Sequence, residues 1–297
     1  MRGLLLIRYW QGRVIDALTL LRWQFWVVSL VPVLIGYIMS PGTIDGLQLT
    51  ILLVIFGPCL EGGAEAINDY YDADVDKLES VQKIGGIQLS GGTGLLQLGK
   101  FTKSTVFTIS LCAYALGVLL ALCFFPVFFI FTVLAGMLLG FAYSAPPFRL
   151  KARGLLGPLS VGVSFGFLTL LGGFTAGGSV PHAIAVLRMI PLVLLVTGLF
   201  LTHQIVDYNA DMKASVSTFC VRHGIQTTRL LASLLIFLGV AFVLASPRHS
   251  WPAWMASVLA LVGLIWVMCA LARGEISSKI RVAAVVLEAT VGVFCLI

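Results

Sequence analysis

Nine stretches of roughly 17 to 22 residues pass almost without a charged side chain: 23–40, 49–67, 105–124, 126–143, 155–176, 186–206, 230–246, 251–271 and 280–297. About 20 apolar residues carry a helix across the hydrocarbon core of a bilayer. Inside lipid the backbone must satisfy its own hydrogen bonds, which restricts the fold to helices or a closed barrel. Barrel strands alternate polar and apolar residues; a run such as 116–131 does not. The pattern therefore predicts an all-α, polytopic membrane protein, with nine transmembrane helices in one bundle and residues 1–297 as a single domain. Composition excludes the main alternatives. Charged residues are 11% of the chain, against about a quarter in soluble domains, and mean hydropathy is +1.02. A net charge of +6 invites a nucleic-acid reading, but no basic block is present to carry it.

The placement of basic residues orients the bundle. Seventeen of the 19 fall on alternate connections: Arg2, Arg8, Arg13 and Arg22; Lys77, Lys83, Lys100 and Lys103; Arg149, Lys151 and Arg153; Lys213, Arg222 and Arg229; Arg273, Lys279 and Arg281. Only Arg188 and Arg248 fall on the opposite side. Basic loops stay cytoplasmic, so the N-terminus is expected inside and the C-terminus outside, in the cell inner (cytoplasmic) membrane. Residues 1–22 read as an interfacial arm on the anionic inner leaflet. Their apolar run, 4–7, is too short for a signal peptide. The six cysteines show no CxxC spacing and read as reduced structural thiols.

Two long cytoplasmic connections, 68–104 and 207–229, each begin with acids at the foot of a membrane helix. Long loops are usually functional. Asn68-Asp69-Tyr70-Tyr71-Asp72-Ala73-Asp74-Val75-Asp76 opens the first. On a helix Asp69, Asp72 and Asp76 lie at about 0°, 300° and 340°, one face, with Asp74 near 140°. Asp207 and Asp211 of the second sit one turn apart. A helix C-terminus is the negative end of the macrodipole, so stacked carboxylates there call for a cation. An all-oxygen set without His or Cys suggests Mg²⁺. Mg²⁺ favours one or two carboxylates with phosphate oxygens, so two facing clusters imply a phosphorylated substrate between them. Glu61 and Glu65 extend the first cluster into helix 2 as one acidic stripe. Acids at that depth face either neighbouring helices or a polar cavity.

These residues resemble the UbiA-type intramembrane prenyltransferase superfamily over nearly the whole chain. Asn68–Asp76 matches NDxxDxxxD and Asp207–Asp211 matches DxxxD. Arg22 followed by Pro32-Val33-Leu34-Ile35-Gly36 is similar to the family's first helix. Ser90-Gly91-Gly92-Thr93 with Leu96-Gln97, and Asp207-Tyr-Asn-Ala-Asp211 with Val221-Arg222-His223-Gly224, resemble the branch that prenylates 1,4-dihydroxy-2-naphthoate in menaquinone biosynthesis. The run from Tyr143 to Gly154 is similar to the inner loop of that branch and of chlorophyll synthases. His203 stands where the naphthoate branch commonly has Asn, and Ser215-Val216-Ser217 where it usually has Gly and basic residues.

The resemblance implies Mg²⁺-dependent transfer of a prenyl group from an isoprenyl diphosphate to an aromatic acceptor, hydroxynaphthoate- or hydroxybenzoate-like, through a shielded allylic cation. Metal ligands would be Asn68, Asp69, Asp72, Asp76, Asp207 and Asp211. Arg22, Arg149, Lys151 and Arg153 would bind diphosphate, and Asp72, Asp211, Lys151, Tyr143 and His203 would take part in catalysis. Glu65, Tyr70, Tyr71 and Tyr208 are candidates for the acceptor or cation pocket, since aromatic faces attract cations. Two alternatives stand beside this: an intramembrane terpene cyclase that ionises the same diphosphate without an acceptor, and a cation transporter. Transporter sites favour the membrane midplane, whereas these acids gather at one face.

Overall fold

A computed structural model of the chain describes residues 12–42, 45–74, 82–84, 87–90, 92–245 and 262–267. A short helix α1 (Gly12–Leu20) turns by 51° into the first span, which starts with a tight turn at Trp23–Phe25 and continues as α2 (Trp26–Met39). At the elbow Arg22 adopts the left-handed conformation, φ 47°, rare for a residue with a side chain. Helix α3 (Gly46–Asp72) follows. Its middle, Ile55–Glu61, widens into a π turn around Pro58, whose missing amide would leave a gap in the regular ladder. A small antiparallel hairpin comes next, β1 (Gln82–Ile84) and β2 (Ile87–Ser90), and is the one β element among the described residues.

Helices α4 (Lys103–Phe124) and α5 (Val127–Ser144) form a tight pair of spans. They are followed by α6 (Leu156–Ala176), π-wound at Gly162–Leu168, and α7 (Ala183–Val206). A single-turn α8 (Tyr208–Lys213) leads to α9 (Phe219–Ala245), which kinks at Gly224, φ 82°. Six described helices are long and apolar enough to cross a bilayer, seven when α1 and α2 count as one bent span. They coincide with the first seven apolar runs. The last two runs lie outside the described residues apart from 262–267.

Two details differ from the sequence expectation. Residues 68–72 continue α3, so the first connection begins at Ala73 and contains a hairpin. Most of 207–229 is helical too, leaving only 214–218 between α8 and α9. Thr218 caps α9, its hydroxyl accepting from the Val221 amide at 3.4 Å, and polar cap residues do not advertise helix in a loop rich in Ser and Thr.

Lipid tails offer helices no hydrophobic incentive to associate, so packing and close approach must hold the bundle. One interior cluster joins Val33 and Tyr37 of α2, Leu52, Ile55 and Phe56 of α3, and Phe129 and Val133 of α5. Leu119, Leu122, Phe131, Leu138 and Phe242 stand exposed on the outside, as lipid-facing residues would. The most extensive helix contacts are α7 with α9, followed by α3 with α4 and α2 with α6. Asp45 starts α3 with its side chain, accepting from the Leu47 amide at 2.8 Å and the Gln48 amide at 3.5 Å. Losing such a cap costs about 1 kcal/mol. Asp45→Ala should thus lower the thermal unfolding midpoint in detergent modestly; an unchanged midpoint would show the cap to be idle.

Candidate active site

The ends of α3, α5 and α7 and the beginnings of α2, α4, α6 and α9 meet at one end of the bundle, and most of the chain's described charge meets there too. Asp69, 2% exposed, is on the last turns of α3. The Arg22 guanidinium reaches it from the α1–α2 elbow at 2.7 Å and touches Glu65 at 3.2 Å. The second Asp69 oxygen accepts from the Thr93 amide at 3.1 Å and from the Thr93 hydroxyl. Arg22 makes these contacts from a backbone of positive φ at the elbow.

Asp72, one turn further, faces a different cation. Lys151, 7% exposed, bonds Asp72 Oδ2 and lies 2.9 Å from Asn68 Oδ1. Ser144 at the end of α5 also donates to Asn68 Oδ1, at 2.8 Å. Arg149, another residue with positive φ (41°), approaches Asp72 Oδ1 at 3.7 Å. Asp72 Oδ1 and Arg149 Nε are both buried and without a hydrogen-bond partner among the described residues. Unmet buried donors and acceptors are uncommon and call for an explanation.

The acidic stripe is thus divided. Glu65 and Asp69 share Arg22, Asp72 goes to Lys151 and Arg149, and Glu61 accepts from the Ser29 hydroxyl of α2 deep in the bundle. Asp74, assigned to the opposite helix face, is exposed and pairs with Lys103 at 3.0 Å. Asp76 lies outside the described residues. The cations that the helix end requires are supplied here by the protein itself.

On the second motif, His203 Nε2 lies 3.2 Å from Asp207 Oδ2, one turn along α7. Asp211 Oδ2 accepts from the Thr218 hydroxyl at 3.1 Å. Tyr143 makes an edge contact with Phe200, which lies beside the His203 ring. Tyr70 and Tyr71 meet edge to face, Tyr70 packing on Phe107 and Tyr71 on Phe141. Tyr208 is half-buried on α8. Arg153 stands apart from the acids: its guanidinium donates to the carbonyls of Pro147, at 2.6 Å, and Phe148. Three hydroxyl residues that sequence reasoning did not single out, Thr93, Ser144 and Thr218, hold Asp69, Asn68 and Asp211 in place. Thr93 and Ser144 each carried a signal, being inside the Ser90–Thr93 motif and the Tyr143–Gly154 run; Thr218 carried none.

Six membrane-length helices and one bent span among the described residues, with buried acids and cations collected at one rim, define a multi-pass membrane protein with a charged site at the bundle end. The chain belongs to the UbiA prenyltransferase family, whose model matches residues 29–291. Among relatives, the chloroplastic chlorophyll synthase of Oryza sativa subsp. japonica is 28% identical over 62% of this chain and 48% of its own length. The 1,4-dihydroxy-2-naphthoate octaprenyltransferase of Bacillus subtilis (strain 168) is 26% identical over 70% of this chain and 66% of its own. The chain spans about half the length of the chlorophyll synthases it matches. A UbiA homolog from Archaeoglobus fulgidus, bound to DMAPP and Mg²⁺, superposes with a TM-score of 0.75 over 93% of this chain and 98% of its own at 18% identity. That likeness establishes a common fold.

Proposed function

We propose that the protein transfers a prenyl group from an isoprenyl diphosphate to an aromatic acceptor of the hydroxynaphthoate or hydroxybenzoate type, at the cytoplasmic end of a bundle with its N-terminus inside. One observation carries the reading: within the Asp72–Arg149–Lys151 cluster a buried carboxylate oxygen, only loosely ion-paired at 3.7 Å, and a buried guanidinium nitrogen lack hydrogen-bond partners, as they would where a ligand that both accepts from arginine and brings cations completes the site. A diphosphate with Mg²⁺ is such a ligand. The donor set fits the ion, since every candidate atom is oxygen and Mg²⁺ needs only one or two carboxylates beside phosphate. Asp69, Asp72 and Asn68 would hold one Mg²⁺, and Asp207 and Asp211 another, with Asp76 joining the first set. Bound there, the metal would neutralise diphosphate and make it a better leaving group.

The chain's own part is positioning and shielding. Lys151, Arg149 and Arg22 gather phosphate oxygens, electrostatic stabilisation that grows as the allylic carbon–oxygen bond breaks and its electron pair leaves with diphosphate. The rings of Tyr143, Phe200 and Tyr71 offer π faces to the positive charge left on the prenyl carbon. A ring carbon of the acceptor then bonds to that carbon, and the ring passes its proton to the released diphosphate. Lipid and packed helices exclude the water that would otherwise capture the cation.

Purified protein with Mg²⁺ and a radiolabelled series of isoprenyl diphosphates tests the proposal. Prenylated product only when an aromatic acid or quinol precursor is present is the expected outcome. A cyclic hydrocarbon formed without acceptor would replace transfer by cyclisation, and the absence of any diphosphate release across the series would overturn the reading.

A further inference from the structure

The turn after α5 and the segment before α9 are fastened together backbone to backbone. Gly154 pairs in parallel with Thr218, its amide donating to Ser217 O at 3.4 Å. Arg222, on the first turn of α9, straddles this seam. Its Nη2 donates to Ala152 O at 2.9 Å and its Nε to Ser217 O at 3.0 Å. Each side of the seam ends in a site residue. Ala152 follows Lys151, whose ammonium reaches Asn68 and Asp72; Ser217 precedes Thr218, whose hydroxyl holds Asp211. The short turn Leu150–Ala152 that presents Lys151 starts at Arg149 with φ 41°. A non-glycine residue keeps such a conformation only where its surroundings over-determine it, and the Arg222 grip on Ala152 O fixes the far end of that turn.

We infer that Arg222 is a positioning residue that yokes the Lys151 turn to the Asp211 segment, so that the cation serving the first acidic motif and the acid of the second move as one body. Its guanidinium commits Nε and one Nη2 hydrogen to two carbonyls. A fork of fixed geometry suits this task, since two carbonyls on different segments must be met at once, and a lysine presents only a point of charge. The inference rests on the prenyl-diphosphate reading for its catalytic consequence but not for the mechanical coupling itself.

The full-length protein in detergent, with Mg²⁺ and an isoprenyl diphosphate, provides the test through Arg222→Met, Arg222→Lys, Lys151→Met and the Arg222→Met/Lys151→Met pair. A shift of about 1 Å in a catalytic group can cost about a hundredfold. Arg222→Met should accordingly lower kcat/KM by roughly tenfold to a hundredfold, with KM for the diphosphate raised, and Arg222→Lys should recover part of it. Because the yoke acts through Lys151, Arg222→Met should add little further loss of diphosphate affinity, measured by calorimetry, in the Lys151→Met background; coupled residues are non-additive in this way. A merely structural role would reduce the amount of folded enzyme and leave KM unchanged. Full additivity, or wild-type kinetics in Arg222→Met, would overturn the inference. Hydrogen exchange at the Gly154 amide, read without substrate, separates the two claims. Faster exchange in Arg222→Met is expected; unchanged exchange removes the yoke, whereas a wild-type protein that turns over no prenyl diphosphate removes the functional reading instead.

Discussion

Asp72→Asn should reduce prenyl diphosphate turnover by up to about a thousandfold, the upper range for losing one preorganised electrostatic contact in a closed site. The substitution keeps size and shape, so the loss would come from charge. It should also destabilise the protein by about 3 kcal/mol, the lower end of the penalty for stranding a buried charge. Lys151 would keep its contact with Asn68 Oδ1 at 2.9 Å but lose its carboxylate. These two effects can be separated. The pair Asp72→Asn/Lys151→Met leaves neither charge stranded, so its thermal midpoint should recover toward wild type while turnover stays lost. If both quantities recovered together, Asp72 would be a structural ion-pair partner and the catalytic assignment would fail. Turnover in Asp72→Asn within about tenfold of wild type, less than one such contact is worth, would have the same consequence.

Much of this arrangement was legible before any coordinates. Helix periodicity placed Asp69 and Asp72 on one face, and both are buried on the last turns of α3; Asp74 stands apart beside Lys103 because the helix has ended at Asp72, not because of its place on a wheel. The first seven apolar runs are the described spans. What sequence could not provide is which cation answers which acid. Arg22 precedes Asp69 by 47 residues and Lys151 follows Asp72 by 79, and their meeting depends on helix crossings and on two left-handed residues, Arg22 and Arg149, that no propensity would place there. The π turn at Ile55–Glu61 ends where the stripe begins, so Glu61, Glu65 and Asp69 keep one face toward the α1–α2 side, with Arg22 at the rim and Ser29 two turns deeper. The roles of the Thr93, Ser144 and Thr218 hydroxyls were hidden for another reason, although the first two lie inside quoted motifs. Serine and threonine are common in such loops and act only through long-range partners.

The crossing of α2 and α6 should be the least tolerant place in the bundle. A β-carbon on Gly173 would overlap the carbonyl oxygen of Val33 and lie 2.8 Å from the Tyr37 amide. One on Gly36 would overlap the Leu170 carbonyl oxygen and lie 2.8 Å from the Phe174 amide. These obstacles are backbone atoms, which cannot rotate aside as a side chain can. Gly173→Val should therefore force the helices apart and cost more than about 3 kcal/mol, beyond ordinary over-packing, because lipid supplies no compensating drive for association. Little monodisperse protein should survive size-exclusion chromatography. Gly46→Ala, at the first position of α3 with nothing within 4 Å of the added carbon, is the matched control; it should leave stability unchanged or raise it by up to about 1 kcal/mol through the unfolded chain. Gly36→Ala and Gly173→Ala add the smallest possible group and so read the crossing more finely. Helix α2 starts at the elbow that carries Arg22, and α6 starts just after the turn that carries Lys151. Widening the crossing should displace the two cations relative to Asp69 and Asp72, and whatever folded protein remains should lose diphosphate affinity. A Gly173→Val protein that is monodisperse, with a wild-type midpoint and wild-type affinity, would refute the backbone-to-backbone crossing itself.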